Sequence, residues 1–186
     1  MTEITLPKIW QMLGQAMVER TPFTLMQLAT IGNEGKPKLR TIVARRFDEA
    51  TACLSFITDV RSPKVKEILD NPSVSLVAFD ADASVQLRID GIASIIEDEY
   101  RRQICWNMLH NHTHDLFHSS LPPGTAIPYA TAETLENCDP ELAYERFCLI
   151  NIYLEYVEWL QISTLPHVRR SFIRESRGWM GSWIVP

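Results

Sequence analysis

The sequence predicts a mainly β fold: an antiparallel barrel with an N-terminal helix and a helical, irregular insertion. Between residues 23 and 96, β-prone runs follow one another through tight turns, and one short helical segment interrupts them. Parallel strands would need a long crossover between each pair, so this close spacing argues for antiparallel neighbours that close on themselves. Runs of β character return after residue 147, with no βαβ alternation anywhere.

Each element has a local reason. Ile9, Trp10, Leu13 and Met17 recur at helical spacing behind Pro7, predicting a helix over 7–19. Phe23–Ile31 and Lys38–Phe47 are strands joined by the turn-forming run Gly32-Asn33-Glu34-Gly35. Asp48-Glu49-Ala50-Thr51 leads to a third strand over 52–58. Ser62 is a good N-cap and Pro63 suits the first helical position, so a helix is expected over 63–70, stopped by Asn71-Pro72. Strands over 73–80 and 84–96 meet at Asp80-Ala81-Asp82. Tyr100, Ile104, Met108 and Leu109 mark a helix over 98–118, followed by an irregular stretch over 119–140. The last strands are expected over 147–163, 168–174 and 179–185. The chain reads as one domain, 1–186, with 98–146 as the insertion.

Composition narrows the partners. The 186 residues carry a net charge of −5, which argues against broad binding to nucleic acid or to an anionic membrane. The cations cluster at 36–46, 61–66 and 169–177, which suits a small anionic ligand instead. The cysteines, Cys53, Cys105, Cys138 and Cys148, form no CxxC pair and read as free thiols. The start of the chain has neither a basic nor an apolar leader region, and no uncharged run is long enough to span a bilayer. A cytoplasmic protein is expected.

The heptad Thr58-Asp59-Val60-Arg61-Ser62-Pro63-Lys64 carries the chemistry. Free N–H groups at a helix start, with Arg61 and Lys64 in the same turn, make an anion site suited to phosphate. The basic strand Arg40-Thr41-Ile42-Val43-Ala44-Arg45-Arg46 can supply a guanidinium, with Arg40, Ile42 and Ala44 on one face and Thr41, Val43 and Arg45 on the other. In Val85-Gln86-Leu87-Arg88-Ile89-Asp90-Gly91, three polar residues share a strand face, and Gln86 both donates and accepts. Farther on come Trp159, His167 and Arg169.

These segments, in this order and spacing, resemble the pyridoxamine 5′-phosphate oxidase-like family of FMN-binding split β-barrels. The resemblance covers about 20–100 and 147–186. It implies FMN as cofactor, with Arg40 and Lys64 on its phosphate and Thr58, Arg61 and Ser62 assisting. Ile42, Val43 and Arg45 would run beside the isoalloxazine, and Gln86 would bond its pyrimidine edge. Trp159 and Arg169 would complete the site from the second subunit of a homodimer. The chain also departs from the vitamin oxidases: Pro63 replaces an arginine, and Leu165-Pro166-His167 lacks the cation that would hold a substrate phosphate. The middle segment, with Arg101, Trp106 and Pro122-Pro123-Gly124, is similar to a branch of FMN-dependent enzymes distinct from the vitamin oxidases.

The expected function is an FMN-dependent oxidoreductase acting on an unidentified small molecule. The alternative is a non-catalytic flavin-binding protein serving as sensor, carrier or scavenger. No side chain is an obligatory acid or base, and His167 is the candidate on the substrate side. A rival signal is His110, His114 and His118, which a continuous helix would align as metal ligands. With no glutamate base or cysteine pair beside them, the expectation is a solvated helix end and no metal.

Overall fold

A computed structural model describes residues 4–128, 140–162 and 166–186. Cys138 and Leu165 lie outside them. Helix α1 (Leu6–Val18) precedes strands β1 (Leu25–Ile31), β2 (Pro37–Asp48) and β3 (Cys53–Asp59). Helix α2 (Pro63–Asp70) separates β3 from β4 (Ser73–Asp80) and β5 (Val85–Ile95). The insertion holds α3 (Glu99–Asn107), α4 (Asn111–His114) and α5 (Pro140–Arg146). Strands β6 (Phe147–Gln161), β7 (Val168–Glu175) and β8 (Gly178–Trp183) end the chain.

Every described strand pairing is antiparallel, in the order β3-β2-β1-β4-β5-β6-β7-β8. A further pairing of β3 with β6 closes the first six strands into a barrel. The fifteen-residue β6 makes this possible by serving three neighbours. Its first half pairs with β3, its length with β5 and its last residues with β7, so β7 and β8 leave the barrel as an extra hairpin. Gly91 sits where β5 shifts register against β6, and a Cβ there would lie 2.4 Å from the Tyr153 carbonyl oxygen. Only glycine permits that approach.

Alternation decides the core. Leu28, Leu54, Phe56, Leu76, Leu87, Ile89, Ile150 and Val157 point inward and are buried. Each contributes about 1.5–3 kcal/mol by leaving water. Helix α1 adds Ile9, Trp10 and Leu13, and Trp10 packs on Phe47 and Trp179 at 5.0 and 5.5 Å. A smaller aromatic cluster of Trp106, Phe117, Tyr144 and Phe147 holds the insertion against the barrel.

The expected helix over 98–118 is broken. It stops at Asn107, restarts as the short α4 and continues as a 3₁₀ turn over Asp115–Phe117. The break lets the Trp106 ring stack on His114 at 4.1 Å, while His114 Nε2 lies 3.1 Å from the Trp106 carbonyl. His110, His114 and His118 therefore do not share one helical face, and no metal-binding group of side chains occurs among the described residues. Likewise, no helix among them is long and apolar enough to cross a membrane.

Candidate functional site

Helix α2 caps one end of the barrel, and its first turn carries the polar cluster predicted from the heptad. Lys64 Nζ donates to Thr58 Oγ1 at 2.9 Å and to Ser62 Oγ at 2.6 Å. Ser62 is the N-cap residue, but its hydroxyl makes no capping bond and serves Lys64 instead. The lysine makes no ion pair with a carboxylate among the described residues. Burial, and after it the positive charge of Arg40, hold its ammonium below the usual lysine range. Glu67 and Asp59 act in the opposite direction.

Arg40 is anchored from β1 and α2. It donates to Thr30 Oγ1 and to Glu67 Oε2, the latter at 2.6 Å, while Thr30 Oγ1 donates to the same carboxylate oxygen at 2.5 Å. Thr30 and Glu67 were not anticipated. Glu67 is readable in hindsight as the residue one helical turn after Lys64, whereas Thr30 carries no sequence signal. Two crowded cations, two hydroxyls and a helix start form a donor set that fits a phosphate ester.

Arg61 has partners of its own. Its guanidinium grips Asp59 at 2.6 Å and donates to the carbonyls of Ser119 and Ser120 at 2.9 and 3.0 Å. Arg146 donates to the carbonyls of Phe117, His118 and Ser119 within 3.1 Å. The two arginines thus tie the insertion to the phosphate turn, because a run of unpaired carbonyls needs donors. A phosphate contact from Arg61 would have to form beside these bonds.

On the outer barrel face, Gln86 pairs with Phe79 on one side and Leu160 on the other, and Leu160 pairs with Arg169. Gln86 and Arg169 therefore share one row. Arg169 donates to Glu158 at 3.0 Å, and Tyr156 donates to the same oxygen at 2.6 Å. Burial pushes the Glu158 carboxyl up, but these two bonds and the Arg169 charge outweigh it and hold the group below its usual range. Val43 stands outward beside Leu25.

Two side chains face inward, contrary to expectation. Ile42 belongs to the core, so a ligand on the outer face can meet only its backbone. Trp159 is 8% exposed and packs near Phe23, ring centroids 6.4 Å apart, with its indole N–H unpartnered among the described residues. The two-residue period of β6 puts Trp159 on the same side as Val157. His167 is exposed just before β7, away from these side-chain contacts.

Strand β2 has a further feature. Between Ala44 and Arg46 its register against β3 shifts, which leaves Arg45 in a bulge. The extra residue puts Arg45 and Arg46 side by side along a groove of about 920 Å³. The groove runs between the outer face of β2, β3 and β6 and helix α3. Its floor includes Ser55, which donates to Asn151 Oδ1 at 2.8 Å. Cys53 and Cys105 lie on opposite walls, and burial pushes both thiols up. The arginines work against that rise: Arg46 and Arg45 at Cys105, and Arg101 at Cys53.

A six-stranded barrel extended by a hairpin, with a phosphate-type cluster at a helix start, defines a class of nucleotide-type cofactor binders. Residues 7–97 match the family "Pyridoxamine 5′-phosphate oxidase, FMN-binding domain". The matched segment, which holds α1 and β1–β5, is similar to that FMN-binding domain, and FMN is the cofactor the match supports. The chain is 28% identical over 149 residues to pyridoxine/pyridoxamine 5′-phosphate oxidase 2 of Arabidopsis thaliana, covering 75% of this chain and 74% of that protein. It is 36% identical over 74 residues to a pyridoxine/pyridoxamine 5′-phosphate oxidase of Microcystis aeruginosa, covering 40% and 34%. In fold it is similar to a pyridoxamine 5′-phosphate oxidase-related, FMN binding protein of Nostoc punctiforme, with a TM-score of 0.79 and 24% identity over 100% of this chain and 99% of that one. It is also similar to PhzG of Burkholderia lata, with a TM-score of 0.73 and 19% identity over 97% and 91%.

Proposed function

We propose that the protein is a cytoplasmic, homodimeric FMN-dependent oxidoreductase acting on a small molecule, with 1–186 forming one domain. The observation that carries this reading is the half-buried Lys64, bonded to Thr58 and Ser62 beside Arg40, a cation set that an FMN phosphate would complete. In this reading Arg40 and Lys64 hold the phosphate, and Thr58 and Ser62 orient the ammonium. Glu67 and Thr30 fix the Arg40 fork, and Arg61 braces the turn against the insertion.

Val43 and Arg45, with the Ile42 backbone, would flank the ring system along β2. Gln86 would meet its polar edge, and Arg169 would border the site from the second subunit, with the Trp159 side chain packed behind it in the core. Exposed apolar residues on the outer face, Leu25, Leu39, Val43 and Phe79, support such a dimer. Bound FMN supplies the redox chemistry, while the chain binds, orients and shields it. His167 is the side chain offered for a substrate-side role.

The purified protein is expected to be yellow, to release FMN and to migrate as a dimer. Its flavin should bleach anaerobically with NADPH, NADH or a substrate amine. Colourless protein that takes up no added FMN refutes the reading. A yellow protein that no donor reduces favours the second reading, a flavin carrier or sensor, which the missing cation at Leu165-Pro166-His167 supports.

A further inference from the structure

A smaller cavity, of about 210 Å³, lies between the start of α1, the β4–β5 turn and the end of β6. Val85, Trp159 and Gln161 line it, while Gln86 and Leu160 alternate to the other face of β5 and β6. The cavity is therefore separate from the row of Gln86 and Arg169 and owes nothing to the flavin reading.

Ile4, Ile9, Met12 and Val85 make the walls apolar, yet the start of α1 brings donors that need an acceptor. Thr5 is the N-cap residue, and its side chain makes no capping bond. The N–H groups of Leu6 and Lys8 have no partner within the helix, and no acidic residue sits in its first turn. Lys8, exposed at the rim, adds a full positive charge and makes no ion pair among the described residues. The nearby Ile4 carbonyl is already engaged, because Arg170 donates to it.

A second observation is independent of the helix. Trp159 is 8% exposed and lines the cavity, and its buried indole N–H has no partner among the described residues. A buried donor is costly unless an acceptor reaches it.

We propose that this cavity binds a short-chain aliphatic monocarboxylate. Its head group meets the α1 start, Lys8 and the Trp159 N–H, and its chain lies on Ile9, Met12 and Val85. A helix start beside an ammonium favours an anion, and a single ammonium matches one negative charge better than two. Size and apolar walls exclude a nucleotide or a sugar. A cavity of about 150 Å³ takes benzene, so this one takes about eight heavy atoms, the size of hexanoate.

The test is a titration of the FMN-saturated protein with hexanoate, hexanamide and hexylamine, read by calorimetry and by the indole N–H resonances in NMR. Trp159→Phe identifies the Trp159 resonance by its loss. Hexanoate should bind at least about tenfold more tightly than hexanamide, and hexylamine should not bind. The Trp159 resonance should move until the site is saturated. Lys8→Glu should weaken hexanoate about tenfold or more while FMN affinity stays constant. An acidic residue in the first turn stabilises α1, so that loss does not come from unfolding. The calorimetric comparison and Lys8→Glu decide the matter even where the phenylalanine variant does not fold.

Equal binding of hexanoate and hexanamide overturns the proposal, as does hexanoate binding that Lys8→Glu leaves unchanged. Saturable binding with the Trp159 resonance unmoved puts the ligand elsewhere and also overturns it. If the protein takes up no FMN but shows the same preference for hexanoate, the cofactor reading fails and the cavity site stands.

Discussion

The barrel end and the α3 groove both gather cations, but they do so in opposite ways. At the barrel end, Lys64 meets Thr58 and Ser62 from its own turn, and only Arg40, Thr30 and Glu67 come from elsewhere. The cluster is short-range, tight and internally bonded. Arg45, Arg46 and Arg101 are instead assembled by a register shift and by the docking of an insertion. None of the three makes an ion pair among the described residues. A pre-bonded cluster suits a resident cofactor, and an open groove with unspent donors suits a ligand that comes and goes.

The largest expected effect comes from cutting the barrel-end cluster. Arg40→Ala and Lys64→Ala should each weaken FMN binding by about 1–3 kcal/mol, roughly tenfold to hundredfold. Unchanged FMN affinity in both variants would take the barrel-end cluster out of cofactor binding.

Next in size is the tether that links the two regions. Removing the Arg146 guanidinium strips donors from three carbonyls, and a hydrogen bond to a charged group is worth about 1.5–3 kcal/mol. Arg146→Ala should speed proteolytic cleavage near residues 117–128 while leaving FMN affinity nearly intact. Cleavage at the unaltered rate would mean that the aromatic cluster of Trp106, Phe117 and Phe147 alone holds the insertion.

The smallest effect is in pH. Because folding lowers the Lys64 pKa, the unfolded chain holds the proton more tightly, and this group makes stability rise as pH climbs through that window. Phosphate binding needs the charged ammonium. FMN affinity should therefore fall with rising pH before an ordinary lysine would titrate, and Lys64→Arg should move that limb to higher pH. An alkaline limb that persists unmoved in the arginine variant would assign it to another group.

The sequence by itself determined the local pieces. Helix α2 runs over Pro63–Asp70 and β4 over Ser73–Asp80, as their caps and periods required, because N-cap, proline and stop signals act within a turn. The clustering of Thr58, Ser62 and Lys64 was legible for the same reason. Tertiary structure decided what depends on partners far along the chain. It turned Arg61 to the carbonyls of Ser119 and Ser120, buried Trp159 and Ile42, and broke the helix at Asn107 so that Trp106 could stack on His114. It also paired Arg40 with Glu67 and raised Arg45 in a bulge. A period of two tells which residues share a face, but only closure of the barrel decides which face is inside.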